Sequence, residues 1–291
     1  MLTRVWSGMV LVLVALGPKS LLAADRTSEP VTAILGAQTR EIAALRSELS
    51  DQKERKIMGI PFWEGRLAGR RAVVARMASG KVNAAMVATL VIEHFHPSEV
   101  LVTGIAGGLN PDLSPGDLVI ARQTVQHDMV RQHESGVEHR GARHPILGRR
   151  NPVFMEPAVY LIESAQRAAK QTEFIPIRQE DRNTSSHVVR VITGIVATGD
   201  AFVESEGKRK ELRDLLKADA VEMEGAAVAQ VCHVLGVPCL VIRCLSDLAD
   251  QTAMSDLESF ADIAATNSAR LVYGILRLLA EGERSPQAEK K

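Results

Sequence analysis

Residues 221–225 read Val-Glu-Met-Glu-Gly, and residues 239–250 read Cys-Leu-Val-Ile-Arg-Cys-Leu-Ser-Asp-Leu-Ala-Asp. In the first stretch a short strand, Ala220 to Glu222, runs into a helical pattern beginning at Gly225. Two carboxylates therefore stand at a strand-to-helix junction, with Glu224 near the helix N-terminus. In the second, a very apolar strand opening on Cys239-Leu240-Val241-Ile242 ends in Arg243, Ser246, Asp247 and Asp250. Strand, helix and strand in succession form the unit of a layered α/β domain, and such sheets gather ligands outside the carboxyl ends of their strands. Glu224 and Asp247 are thus placed to share a pocket. Each also has a structural reading, because Asp is a favoured N-cap and Glu is stabilised at a helix start.

Outward from this unit the alternation continues. Strands are predicted at Val31 to Leu35, in a hairpin of Trp63 to Leu67 and Ala72 to Met77 turning at Gly69, and at Val100 to Ile105, Leu118 to Val125 and Val188 to Val196. Helices are predicted at Thr39 to Leu49, Lys81 to Phe95, Ala158 to Lys170, Lys208 to Leu216, Gly225 to Leu235 and Leu257 to Ala280. The last carries Leu271, Ile275, Leu278 and Leu279 as an apolar stripe that covers the sheet. The chain has no internal repeat. Arg131 to Asn151, with three histidines and five arginines among Gly and Pro, matches no regular element and reads as a long loop.

Composition narrows the function. At 46% hydrophobic and 24% charged residues, the 291-residue chain is globular rather than disordered or fibrous. Lys and Arg (35) balance Asp and Glu (35), so the electrostatic footprint of a nucleic-acid partner is missing. Aromatic residues make up only 3%, which gives weight to Phe202 beside polar residues as a ligand contact. The apolar run Val5 to Gly17, preceded by Arg4 and followed by Leu22-Ala23-Ala24, reads as a secretory signal over residues 1–24. The domain then spans 25–281, with a polar tail at 282–291. The expected location is secreted or periplasmic, with membrane attachment only if the signal is uncleaved. Cys232, Cys239 and Cys244 fit no zinc spacing and read as buried free thiols. No histidine pair in the basic loop has the spacing of a helical metal site, so neither metal nor cofactor is expected.

Phosphate-loop, nucleophile-elbow and H-E-x-x-H motifs are lacking. What the chain does carry, in order, is Gly36-Ala37 with Glu41, Gly80-Lys81-Val82, Thr103-Gly104-Ile105-Ala106-Gly107-Gly108-Leu109, Pro115-Gly116-Asp117, Thr198-Gly199-Asp200-Ala201-Phe202, Val221-Glu222-Met223-Glu224 and Arg243-Cys244-Leu245-Ser246-Asp247. This series resembles the 5'-methylthioadenosine/S-adenosylhomocysteine nucleosidases of the purine nucleoside phosphorylase superfamily, from about Val31 to Ala280. The resemblance implies a three-layer α/β/α sandwich around a mixed sheet, nucleoside phosphorylase-like, usually a homodimer that hydrolyses the N-glycosidic bond of an adenine nucleoside.

By matching position, the resemblance implies that Asp247 protonates the purine at N7. Glu224 binds the ribose and stabilises its developing positive charge, and Glu41 takes the proton of the attacking water with help from Arg243. Phe202 stacks on adenine near Val203, and Met223 lies against ribose. Glu222, Ser246, Ile105, Ala106, Gly107 and Gln38 complete the implied substrate contacts. An oxocarbenium-like transition state needs an anion below the sugar, an acid at the leaving group and a base for water.

Phosphorylases of the superfamily place an arginine just before the glycine turn, where this chain reads Leu101-Val102-Thr103-Gly104, so water is the expected nucleophile. Phosphorolysis stays open through Lys81, Arg76 or the loop arginines. The chain departs from the family at Ile105, where a small hydroxyl residue is common, and at Ala78, where glycine is common. At the 5' end it departs at Gln38, often Met, and at Arg131 to Glu134, where hydrophobic residues are expected. The last two point to a more polar 5' pocket. A non-catalytic nucleoside-binding protein is the rival reading, set against by the joint presence of Glu41, Glu224 and Asp247.

Overall fold

The computed structural model describes residues 29–177 and 188–283; the expected signal and most of the polar tail lie outside them. In chain order the elements are β1 (Val31–Gly36), α1 (Thr39–Ser47), β2 (Ser50–Ile57), β3 (Ile60–Leu67), β4 (Arg70–Arg76), α2 (Lys81–Phe95), β5 (Glu99–Val102), β6 (Ile105–Gly108), β7 (Leu118–Gln126), β8 (Val130–His133), β9 (Gly136–His139), β10 (Phe154–Met155), α3 (Val159–Ala169), β11 (Val191–Thr198), α4 (Glu206–Leu216), β12 (Ala220–Glu222), α5 (Gly225–Leu235), β13 (Cys239–Asp247) and α6 (Ala253–Glu283).

One mixed sheet runs in the order β10-β7-β11-β12-β6-β13-β5-β1-β4-β3-β2. A second contact, antiparallel between β7 and β13, closes β7, β11, β12, β6 and β13 into a ring. The period of two sorts each strand between two cores. Ile34, Val74, Leu101, Leu240 and Ile242 pack with α1, α3 and α6 on one face. Leu35, Val73, Val100, Val102 and Val241 pack with α2 and α5 on the other. A third cluster joins Leu212 and Leu216 of α4 to Val125, Ala197 and Val221. The α/β/α layering follows from strands that are apolar on both faces.

Local signals account for most boundaries. The β3–β4 turn uses Ala68 and Gly69, both at positive φ (52° and 83°), as a tight hairpin requires. Helix α5 stops at Gly236 in the left-handed conformation, φ 71°. The N-cap Ser205 accepts the Lys208 N–H, which starts α4 two residues earlier than the sequence suggests.

Three expectations are corrected. Val100 to Ile105 is two strands, β5 and β6, broken at Thr103-Gly104. Strand β2, Ser-Asp-Gln-Lys-Glu-Arg-Lys-Ile, went unpredicted because its charged, exposed residues show no apolar alternation; it is a sheet edge, where charge deters further pairing. The basic loop is not wholly irregular, since β8 and β9 form a hairpin that turns at Glu134-Ser135, with His133 opposite Gly136 and Val130 opposite His139. Cys232, Cys239 and Cys244 are buried free thiols. Among the described residues no helix is long and apolar enough to cross a membrane.

Candidate active site

Strand β6 serves as a ruler for the site. At one end, the Ile105 N–H donates to Glu41 Oε1 at 3.0 Å. At the other, Gly107 is in register with Asp247, after a bulge that leaves Ser246 outside the ladder. A Cβ on Gly107 would lie 2.8 Å from Asp247 Oδ1, so the missing side chain makes room for that carboxyl. Two strand residues rise about 6.6 Å, so Glu41 and Asp247 address points roughly a sugar's width apart.

Glu41 lies in the first turn of α1 and is 2% exposed. Its Oε2 accepts the Gln38 N–H at 2.8 Å, closing a capping box. Burial raises its pKa, opposed by Arg243 and by backbone N–H groups of Gln38, Ile105 and Ala37. Gly104 sits between Glu41 and Arg243: a Cβ there would collide with Arg243 Nη1 and Glu41 Oε1.

Arg243, fully buried on β13, donates from Nη1 to the Thr103 carbonyl at 3.0 Å and from Nη2 to Glu222 Oε2 and, at 3.4 Å, to Glu224 Oε2. One guanidinium thus faces three buried carboxylates. Burial first, and the charge of Glu222 second, raise Glu224 to about 7, with Arg243 pulling against them. Glu224 stands at the N-cap position of α5 without a side-chain bond to the helix, and its Oε1 accepts the Gly80 N–H at 3.0 Å instead. Asp247 is 2% exposed, and its pKa is raised by burial against the Ser246 hydroxyl (2.7 Å to Oδ2) and the Ala249 N–H (2.9 Å to Oδ1). The arrangement offers a basic carboxylate, an anion and a carboxyl able to hold a proton.

The substrate contacts read from the sequence divide in two. Ile105, Ala106 and Gly107 form the buried β6 wall, Met223 and Gln38 are half-buried, Val203 is buried and Phe202 is 42% exposed. Glu222 also braces the site: its Oε1 accepts from the Thr198 hydroxyl, and its Oε2 from the Glu224 and Gly225 N–H groups (3.0 and 2.7 Å) and from Arg243. Ser246 likewise turns its hydroxyl to Asp247 and the Ala106 carbonyl.

The Phosphorylase superfamily model matches residues 31–277. The 5'-methylthioadenosine/S-adenosylhomocysteine nucleosidase of Geobacillus kaustophilus (strain HTA426) is 36% identical over 250 residues, which are 86% of this chain and 97% of the relative. The chain belongs to the 5'-methylthioadenosine/S-adenosylhomocysteine nucleosidase family. The crystal structure of such a nucleosidase from Neisseria meningitidis, in complex with methylthio-immucillin-A, is similar at TM-score 0.71 and 33% identity, covering 85% of this chain and 99% of that one. Futalosine hydrolase of Helicobacter pylori strain 26695 is similar at TM-score 0.71 and 33% identity, over 85% and 97% of the two chains.

In this nucleosidase two supports went unread in the sequence. Ser268 of α6 shares a 2.8 Å hydrogen bond with Thr103 Oγ1 and accepts the Gly104 N–H at 3.1 Å, pinning the turn between Glu41 and Arg243. Its only sequence signal is a hydroxyl among the apolar and small residues of a covered helix face. The second is a tie between loops: Lys81 Nζ bonds Asp128 Oδ1 at 2.5 Å, its N–H bonds Asp200 Oδ1 at 2.8 Å, and the Asp200 N–H bonds Asp128 Oδ2 at 3.0 Å. These contacts place Gly80 against Glu224.

Proposed function

We propose that this chain hydrolyses the N-ribosyl bond of 5'-substituted adenine nucleosides, 5'-methylthioadenosine, S-adenosylhomocysteine or a close relative, releasing the free base. The convergence of Glu41 and Asp247 on β6, with Glu224 joined to the cluster through Arg243, carries the reading. Asp247, raised by burial, holds the proton that N7 takes as the base departs. The surplus of carboxylates over Arg243 stabilises the cationic sugar. Glu41, a stronger base for its burial, takes the proton from water.

Two observations favour water over phosphate. No arginine precedes Thr103-Gly104, and Lys81, a candidate replacement cation, is engaged by Asp128 and Asp200. Burial of the three carboxylates also supports catalysis over mere binding, which has no use for an acid and a base together.

The finer reading is a polar 5' pocket. Gln38 stands half-buried next to Glu41, and a methylthio group cannot satisfy polar groups that water formerly solvated. Adenosine and S-adenosylhomocysteine are expected to compete well with methylthioadenosine. The test compares kcat/KM for the three nucleosides on wild type and Gln38→Met; a strong wild-type preference for methylthioadenosine, unchanged by the substitution, removes this part of the proposal. Export through the signal over residues 1–24 belongs to the same reading, and N-terminal sequencing of the exported protein is expected to start near Asp25. A homodimer, the family expectation, is consistent with exposed Val82 and Met86 on α2, and sedimentation analysis checks it.

A further inference from the structure

The second apolar layer contains two thiols on the wall of one cavity. Cys232 lies in the last turn of α5, where its carbonyl accepts the N–H groups of Gly236 and Val237. The left-handed Gly236 reverses the chain, and Pro238 delivers Cys239 as the first residue of β13. Both side chains belong to the same buried cluster, and both line a cavity of about 260 Å³ shared with Glu156, His233 and Val237. Cys232 is 1% exposed and Cys239 9%, so the path to solvent leads to Cys239. Cys244 packs on the opposite face of the sheet, its thiol donating to the Gly116 carbonyl at 3.3 Å.

We propose that Cys232 and Cys239 form a disulfide bond on encounter with a low-molecular-weight disulfide, tying the end of α5 to the start of β13. The Cys239 thiolate attacks one sulfur of the external disulfide, forms a mixed disulfide and expels the first small thiolate. Cys232 then attacks the Cys239 sulfur, breaking the mixed disulfide and expelling the second. The two cysteines are oxidised by two electrons in all, the external disulfide is reduced to two thiols, and the two cysteine protons end on those thiols. The order of attack follows from exposure, since Cys239 is the more accessible of the two. The bond lies away from the ends of the same two elements that carry Glu224 and Asp247.

The experiment exposes the reduced, folded protein to oxidised glutathione, denatures it, alkylates the free thiols, and reads intact mass and peptide map. The expected result is two of the three thiols lost together, a mass lower by two hydrogens before alkylation, and one cross-linked pair of peptides holding Cys232 and Cys239, with Cys244 alkylated as before. In Cys232→Ala, the glutathione adduct is expected to accumulate on Cys239. Three alkylated thiols after exposure, a lasting glutathione adduct on wild-type Cys239, or a disulfide joining two chains would each overturn the proposal, and the wild-type readings stand whether or not the variant folds.

Discussion

Glu224 ties the chemistry of the site to pH. Free enzyme needs it as an anion, and it titrates at about 7, so kcat/KM is expected to fall below that pH. Glu222→Gln deletes the neighbouring charge and leaves Arg243 freer to pair with Glu224; both effects move the acid limb of the kcat/KM profile to lower pH, and a limb that stays near 7 or rises contradicts the account. Stability follows the opposite sense. The folded pKa lies above the ordinary 4.5, so across that window the folded state binds more protons and loses stability as pH rises. Glu224→Gln is expected to flatten the loss of urea midpoint between pH 5 and pH 8. Asp247→Asn and Glu224→Gln conserve shape while removing the acid and the anion. Each is expected to cost far more than tenfold in turnover, beyond ~1.4 kcal/mol of barrier, with circular dichroism unchanged. Turnover within tenfold of wild type would remove the acid and anion roles from these carboxylates.

At the scale of elements, the break between β5 and β6 is what lets Glu41 of α1 meet Arg243 of β13. Gly104→Ala inserts a methyl between the two, so its expected cost to kcat/KM is at least a hundredfold, well beyond its effect on the urea midpoint. Ser268→Ala removes the two hydrogen bonds that hold this turn and leaves the Gly104 N–H buried without its acceptor; a loss of about 1–3 kcal/mol is expected from denaturant unfolding. A stability change near zero would show that the turn holds itself. The turn also marks where the sequence was silent: Val100 to Ile105 is uninterrupted in β-propensity except at Gly104, and only the approach of Arg243 and Glu41, distant in sequence, explains the break. Strand β2 was hidden for the converse reason, because an exposed edge shows no burial pattern.

For the molecule as a whole, the alternation of apolar strands and amphipathic helices made the layered sheet legible, since burial on both faces imprints itself on every central strand. Glu224 and Asp247 were legible as carboxylates following short apolar strands, whereas Glu41, in the first turn of α1, was legible only through the family resemblance. Support was harder to read: the four protein donors on Glu222 come from distant elements, and Ser268 lies on a helix whose sequence reports only its apolar stripe. The central claim is that this constellation on β6 activates water. Its most direct measurement is the sugar product released from methylthioadenosine or adenosine, with phosphate absent and then added. The account predicts free adenine and the free ribose sugar at the same rate in both, with no ribose 1-phosphate. Product formation that depends strictly on phosphate and yields the sugar 1-phosphate would contradict it.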